Sequence, residues 1–261
     1  MSDAVFERDG EWFVPTGLAR GPWDPNQMHG GGPAALIARA VERAVVIEGE
    51  DVADVRLTIE LLRPVTLAPI AVRTTVVRPG KRVQLVGASV VDRDGVEAAR
   101  AVGLRVRQAD LGLPTADQDG AKPPSSPGAE VQFAFEAHDE HFAKVWQWRE
   151  GVGAIREPGP AALWARLVTP IVAGETTSGV MRCAALADFG NGISGIFPME
   201  EYLFINPDLT VYLHRDPLGG WLCLDATTWA SPDGRGYAES AIWDERGRVG
   251  RSVQGLFLDR R

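Results

Sequence analysis

The chain has 261 residues, of which 45% are apolar and 24% are charged, and its formal net charge is −8 at pH 7. This length allows one large domain or two domains of about 130 residues each. The acidic balance argues against a nucleic-acid partner, which would require a basic surface. Because the sequence has no apolar run of about 18 residues and no basic start followed by an apolar stretch, we expect a cytoplasmic protein without a membrane span.

The cysteines and histidines do not form a metal-binding pattern. Cys183, Cys223 and the four histidines are scattered along the chain, without the close spacing of zinc ligands. Two buried thiols are typical of a cytoplasmic protein. We therefore predict neither a metal nor a cofactor.

The first half of the chain begins with a hairpin and a helix. Residues 5–14 alternate around Asp9-Gly10, which predicts a tight turn between two strands. A run of three glycines, residues 30–32, leads to Pro33, and residues 34–46 are rich in helix formers and apolar almost all round, which predicts a buried helix. Strands are then expected near residues 54–62, 69–78, 82–93 and 96–107.

The second half repeats this order after a linker. Residues 109–130 are rich in Pro, Gly, Ser and Asp, a composition typical of linkers, and they separate an N-terminal half, residues 1–108, from a C-terminal half, residues 131–261. A second helix is predicted over residues 178–187. Strands are expected near residues 132–135, 145–149, 162–167, 202–214, 220–231, 235–244 and 248–258.

The two halves are related by an offset of 152 residues in several strands. Leu57 and Ile59 correspond to Leu209 and Val211, and the same offset relates further apolar, arginine and glycine positions. Each half is thus predicted to hold one long helix against antiparallel strands, an α+β arrangement in duplicate. Two such sheets are expected to pair edge to edge, because this removes an exposed edge strand.

Strand alternation predicts that Gln254 faces the interior. In the first copy Val102, Leu104 and Val106 share one face and Arg105 takes the other, so we expect the apolar face to pack on the helix. At the offset of 152 residues, Gln254 replaces Val102. The alternative is a tolerated polar residue near a strand end.

A buried amide needs a polar partner, and Asp188 is the candidate. An unpartnered buried amide costs about 1–3 kcal/mol. Asp188 ends the second predicted helix, where a negative charge is unfavourable for the helix dipole and invites a functional explanation. The alternative interpretation is that Asp188 is an ordinary acidic residue at a helix end, without a functional role.

Five stretches of the sequence resemble the thioesterase II type of acyl-CoA thioesterase. They are His29-Gly30-Gly31-Gly32, Leu62-Arg63-Pro64, Ala187-Asp188-Phe189, the ten residues from Asn206 to Arg215, and Val253-Gln254-Gly255-Leu256. The resemblance covers nearly the whole chain. It implies a double hotdog fold, in which each half wraps a curved antiparallel sheet around a central helix. It also implies an acyl-CoA substrate and further association into a homo-oligomer.

The same resemblance implies catalytic roles. The family positions a water with an Asp, a Gln and a Ser or Thr. Asp188 and Gln254 match the first two, whereas the hydroxyl position falls on Asn206, with Thr210 nearby. We therefore expect Asp188 to accept a proton from the water and Gln254 to hold that water.

Two further sets of residues are predicted to contact the substrate. The backbone amides of Gly31 and Gly32 are candidates for stabilising the thioester oxygen, unless the glycines only form a flexible loop. The basic turn at Arg78, Lys81 and Arg82 is a candidate for the phosphates of CoA, unless it is simply solvated.

Two other functions stay open at this point. The replacement of the hydroxyl by Asn206 is compatible with a non-catalytic acyl-CoA binding protein. An enoyl-CoA hydratase of the same fold would need an Asp–His pair at the head of the first helix, where His29 has no acid at the matching spacing.

Overall fold

A computed structural model describes residues 3–49, 51–113, 122–132, 139–153 and 157–261. The strand predicted over residues 132–135 lies almost entirely outside these residues, as does part of the predicted linker. A two-residue strand is found just before it, at Glu130–Val131.

The described residues form three α-helices, two of them substantial, besides short 3-10 helices at Gly17–Ala19 and Phe142–Val145. Helix α1 spans Gly31–Arg43, α2 spans Gly179–Ala187, and a single turn, α3, spans Gly190–Ile193. Helix α1 therefore begins and ends three residues earlier than predicted, and Pro33 is its third residue, where a missing N–H is still harmless. None of the described helices is long and apolar enough to span a bilayer.

Helix α2 agrees to within one residue with the helix predicted over residues 178–187, although its 9 residues are few for the long central helix that the resemblance implies. It begins after Ser178, whose hydroxyl accepts a hydrogen bond from the Met181 amide and so caps the helix. Asp188 is its C-terminal cap residue.

Fourteen strands in the described part of the chain form one continuous sheet. In chain order they are β1 Phe6–Asp9, β2 Trp12–Pro15, β3 Val52–Leu61, β4 Ile70–Arg78, β5 Val83–Asp92, β6 Glu97–Arg107, β7 Glu130–Val131, β8 Trp146–Val152, β9 Ala161–Leu167, β10 Tyr202–Ile205, β11 Asp208–Leu213, β12 Trp221–Ala230, β13 Arg235–Asp244 and β14 Gly247–Arg260. The spatial order is β1-β2-β4-β5-β6-β3-β11-β14-β13-β12-β9-β8-β7, and β10 pairs with β14. Strand β3 of the first half pairs antiparallel with β11 of the second. The two predicted sheets are thus joined edge to edge into one.

The centre of this sheet lies between two equivalent threonines. Thr58 of β3 stands opposite Thr210 of β11, and the two are 152 residues apart, so each is the counterpart of the other. On either side the strand order mirrors itself, with β6, β5 and β4 matching β14, β13 and β12. The halves are therefore related by an approximate two-fold axis through this pair.

The face of β6 that packs on the helix was predicted wrongly, because Val102, Leu104 and Val106 were expected to point inward. Ala99, Ala101, Gly103 and Arg105 are buried, while the valines and the leucine between them are only partly buried. Helix α1 lies so close to β6 that a Cβ on Gly103 would be 2.4 Å from a methyl group of Val41. A small residue, rather than a large apolar one, is therefore required at this position.

The offset also shifts by one residue in the last strand. Thr58 stands opposite Val102 in β6, and its counterpart Thr210 stands opposite Val253 in β14. The counterpart of Gln254 is therefore Gly103. Gln254 is buried, with 1% of its surface exposed, as predicted. The prediction is correct because two errors cancel. The wrong face of β6 was taken as the inner one, and Gln254 was aligned with Val102 instead of Gly103.

The two long helices pack against each other over a single core. Helix α1 also contacts β3 to β6, and α2 contacts β11 to β13. One continuous apolar cluster includes residues of both helices and of both halves of the sheet. The N-terminus of α1 thereby meets the C-terminus of α2.

Candidate active site

The closest contact between the two helix ends joins His29 and Asp188. His29 Nδ1 lies 2.8 Å from Oδ2 of Asp188, and both side chains are largely buried. The intervening Gly30 allows this approach, because a Cβ there would lie 2.8 Å from the same carboxylate oxygen. The glycine run thus lets a histidine from one half touch an acid from the other.

Asp188 receives hydrogen bonds from several directions. Asn206 Nδ2 donates to Oδ1 at 2.7 Å. Gln254 Nε2 lies 3.3 Å from the Asp188 carbonyl oxygen and 3.5 Å from Oδ1. Together with His29, these groups occupy both oxygens of the carboxylate.

The proton on His29 follows from this geometry. Nδ1 also lies 3.1 Å from the amide nitrogen of Gly31. One imidazole nitrogen cannot donate and accept at once, and beside a carboxylate Nδ1 carries the proton and donates it to Asp188. The Gly31 amide then donates to the carboxylate, which it also reaches.

Burial raises the pKa of Asp188, but its partners outweigh burial. The charge and hydrogen bond of His29, the amide of Asn206 and the backbone of Gly31 hold the pKa below its ordinary value. Asp188 is therefore ionised at neutral pH, although only 7% of its surface is exposed.

Aromatic rings fix the plane of His29. The imidazole packs beside Phe142, at 5.0 Å between ring centroids, and Phe189, at 4.3 Å, and these two rings also pack on each other at 5.9 Å. The sequence indicated His29 only as a residue near the helix start. Its partnership with Asp188 was missed, because 159 residues separate the two in the chain.

Gln254 lies behind Asp188, away from the cavity described below. Its Oε1 accepts a hydrogen bond from the Asn191 amide at 3.3 Å. A Cβ on Gly190 would lie 2.9 Å from that oxygen, so the glycine is required for the contact. Gln254 thus ties Asp188 to the start of α3. Among the described residues that line the cavity, Asn206 is present and Gln254 is absent.

The other predicted contacts are placed elsewhere. The Thr210 hydroxyl pairs with Thr58 at 3.4 Å in the sheet seam, and Thr210 is outside the described cavity wall. The Gly32 amide donates to the carbonyl oxygen of His29, and the Gly31 amide is committed to the His29–Asp188 pair. Neither amide therefore remains available to a thioester oxygen.

A cavity of about 580 Å³ opens above the His29–Asp188 pair. Much of its wall is apolar and includes Trp23, Met28, Leu62, Met199, Leu203 and Ile205. Asn206 and Asn191 add polar groups, and Arg63 and Arg261 add positive charge. The predicted basic turn at Arg78, Lys81 and Arg82 is not in the described wall, so a contact of that turn with CoA stays a prediction. Among the residues that the structure describes, no cluster of His, Cys, Asp and Glu could hold a metal ion.

Two family models match the chain. The acyl-CoA thioesterase N-terminal domain matches residues 19–106, and the acyl-CoA thioesterase C-terminal domain matches residues 114–258. A comparison with curated proteins finds no match.

Solved structures share the fold at low identity. A hotdog-fold protein of unknown function from Alicyclobacillus acidocaldarius is 17% identical, with a TM-score of 0.74 over 98% of this chain and 97% of that one. An acyl-CoA thioesterase II from Mycobacterium marinum is 16% identical, with a TM-score of 0.67 over 97% and 94%. A protein from Novosphingobium aromaticivorans is 18% identical, with a TM-score of 0.72 over 98% of each chain. These likenesses establish the hotdog fold.

Proposed function

Since the chain belongs to the acyl-CoA thioesterase family, we propose that it hydrolyses fatty acyl-CoA to the free acid and CoA. The observation that carries the proposal is an ionised, buried Asp188 at the floor of a largely apolar cavity. Such a floor can orient a water while the apolar wall accepts an acyl chain.

The other residues of the site have supporting roles in this proposal. Asn206 takes the place of the family's hydroxyl and holds Asp188 from the cavity side. Gln254 holds Asp188 from behind and acts as a positioning residue. Gly30 lines the cavity, and no described residue accepts a hydrogen bond from its amide, so it can stabilise the thioester oxygen in place of Gly31 and Gly32.

Positive charge on the cavity wall fits the phosphates of CoA. Arg63 and Arg261 line the cavity and are exposed to solvent. Arg261 also lies over the ring of Trp23, with its guanidinium carbon 5.3 Å from the ring centroid. Phosphate groups are well matched to guanidinium groups. We propose these two arginines as CoA contacts.

The direct test is thiol release from a panel of acyl-CoAs of increasing chain length. We expect cleavage by the wild type and a fall of at least a hundredfold in kcat for Asp188→Ala, because the carboxylate is removed. Gln254→Ala is expected to lower kcat less, because Asp188 keeps His29 and Asn206. Binding of acyl-CoA without release of thiol by the wild type would instead support a binding protein.

The His29–Asp188 contact also favours one alternative. An Asp–His pair can add water to a carbon–carbon double bond, as the hotdog hydratases do. Here the acid comes from the other half of the chain rather than from the same helix. Loss of the enoyl absorbance from crotonyl-CoA without thiol release would identify the hydratase, whereas thiol release identifies the thioesterase.

A further inference from the structure

We infer that Nε2 of His29, and not the carboxylate of Asp188, takes the proton of the attacking water. This inference rests on the proposed thioester hydrolysis. It reverses the role predicted for Asp188, which becomes a positioning residue that orients the imidazole and stabilises its positive charge.

Asp188 is poorly placed to accept a proton. Oδ2 accepts from His29, and Oδ1 accepts from Asn206 and faces Gln254. The Gly31 amide adds a fourth donor. A carboxylate that is stabilised by this many donors is a weak base, which agrees with its lowered pKa.

His29 has a proton-accepting atom that is not engaged in a hydrogen bond with the described residues, whereas both carboxylate oxygens of Asp188 are engaged. Nδ1 is bound to Asp188, so Nε2 lies on the far side of the ring. No described residue makes a hydrogen bond to Nε2, and Nε2 is not one of the buried polar atoms without a partner. His29 lines the cavity, and we place Nε2 on the cavity side of the ring. The rings of Phe142 and Phe189 pack against the imidazole and favour this orientation.

The charges around His29 support this role. The ionisable residues that face it in the described cavity wall are Asp188, Arg63 and Arg261. Asp188 is in direct contact and favours the imidazolium that forms when Nε2 gains a proton. The two arginines are solvent-exposed, so water screens their opposing effect. The side-chain amide of Asn206 does not ionise near neutral pH and cannot act as the base.

The proton transfers balance over one turnover. The water oxygen attacks the thioester carbonyl carbon while one of its protons passes to Nε2. The tetrahedral intermediate then collapses, the carbon–sulfur bond breaks, and the sulfur receives the proton from Nε2. The products are the free acid and the thiol, and His29 returns to its neutral form.

The pH dependence of the wild type distinguishes the two bases. Histidine has an ordinary pKa of about 6.5, and the neutral form is the one that accepts a proton. If His29 is the base, we expect kcat/KM to fall about tenfold per pH unit on the acidic side, where the imidazole is protonated. If Asp188 is the base, kcat/KM stays level down to about pH 5, since the carboxylate remains ionised there, and the inference is overturned.

Chemical rescue provides the second test. We expect His29→Ala to lose about 10²- to 10⁴-fold in kcat. Imidazole in the buffer should enter the vacated space beside the cavity and raise the kcat of His29→Ala at least tenfold. His214→Ala is the matched control, because His214 is exposed and outside the described cavity wall. Its activity should match the wild type, with or without imidazole.

The outcomes separate this inference from the proposed function. A folded His29→Ala protein that keeps wild-type kcat, or that imidazole does not restore, excludes His29 as the base while hydrolysis by the wild type still stands. If His29→Ala does not fold, the wild-type pH profile decides. A wild type that cleaves no acyl-CoA ends both proposals.

Discussion

At the scale of single residues, the site depends on an acid held in an unfavourable place. Asp188 caps the C-terminus of α2, where the helix dipole opposes its charge. His29, Asn206 and Gln254 compensate for this by donating hydrogen bonds. Each donor comes from a different segment of the chain, so the environment of Asp188 is complete only when all of these segments are folded together.

Gly30→Ala should displace the Asp188 carboxylate, because it adds one methyl group next to it. The new Cβ would lie 2.8 Å from Oδ2 of Asp188, so the carboxylate must move away from His29. We expect kcat to fall at least tenfold, because catalytic geometry tolerates little displacement. Steady-state kinetics would measure this. Gly195→Ala is the control, since its Cβ would make only an ordinary 3.6 Å contact, and equal kinetics of the two variants would contradict the prediction.

Sequence patterns located some of these residues but not their partnership. Asp188 and Gln254 were predicted as a buried pair, and the structure places them in contact. Asn206 was an open alternative, and it contacts Asp188 directly. The contact with His29 could not be predicted, because local patterns carry no information on which helix ends meet. The predicted role of Gln254 in holding a water stays untested.

At the scale of elements, the packing of α1 on α2 requires the absence of a side chain at Gly31. A Cβ there would lie 2.5 Å from the carbonyl oxygen of Ala185 and 2.7 Å from the ring of Phe142. The glycines before Pro33 therefore allow close packing rather than a flexible loop. This is why two helices from different halves share one core.

Gly31→Ala is therefore expected to destabilise the fold. The helices would have to separate, and overpacking of this kind costs about 1–3 kcal/mol. Urea unfolding would measure the loss of free energy. Gly192→Ala offers a matched control, because it is also helical and its Cβ would meet nothing within 4 Å. A Gly31→Ala protein as stable as this control would show that α1 and α2 can separate without cost.

Most strand positions were predictable to within a few residues, for a physical reason, but the single strand predicted over residues 202–214 is two strands, β10 and β11, which each pair with β14. Alternating burial along β12 and β13 produces a visible period of two in the sequence. Gly190-Asn191-Gly192 instead has the composition of a turn, so α3 was missed. Gln254 accepts a hydrogen bond from its backbone, a contact between residues far apart in the chain.

At the scale of the whole molecule, the approximate two-fold axis creates a second meeting point of helix ends. There Ser178, which caps α2, donates a hydrogen bond at 2.6 Å to Glu42 near the end of α1. Asp54, one repeat offset before Asn206, lies beside them, with Oδ1 3.9 Å from Nε of Arg105. This end thus has carboxylates at the place where the candidate active site has His29, Asp188 and Asn206.

Asp54 should make stability fall as the pH rises. Burial raises its pKa to about 7, despite the nearby charge of Arg105. The folded chain therefore binds this proton more tightly than the unfolded chain, so the stabilisation is complete below about pH 4 and is lost as the pH rises to about 7. We expect a loss of about 2–4 kcal/mol over this range.

Asp54→Asn should remove this dependence. Asparagine cannot lose a proton, so the free energy of unfolding should change less between pH 4 and pH 7 than in the wild type. Urea titrations across this range would measure the two slopes. Asp94→Asn in an exposed turn is the control and should follow the wild type. Identical slopes for Asp54→Asn and the wild type would refute the assignment.

The seam between Thr58 and Thr210 has a consequence for how this chain can evolve. In a dimer of two identical repeats, one mutation alters both meeting points of the helix ends at once. Here the repeats are covalently joined, so each end accumulates substitutions independently. Gly103 and Gln254 illustrate the outcome, since equivalent positions now serve close packing at one end and support of Asp188 at the other. Selection for stability and selection for activity can thus act separately on two structurally equivalent positions.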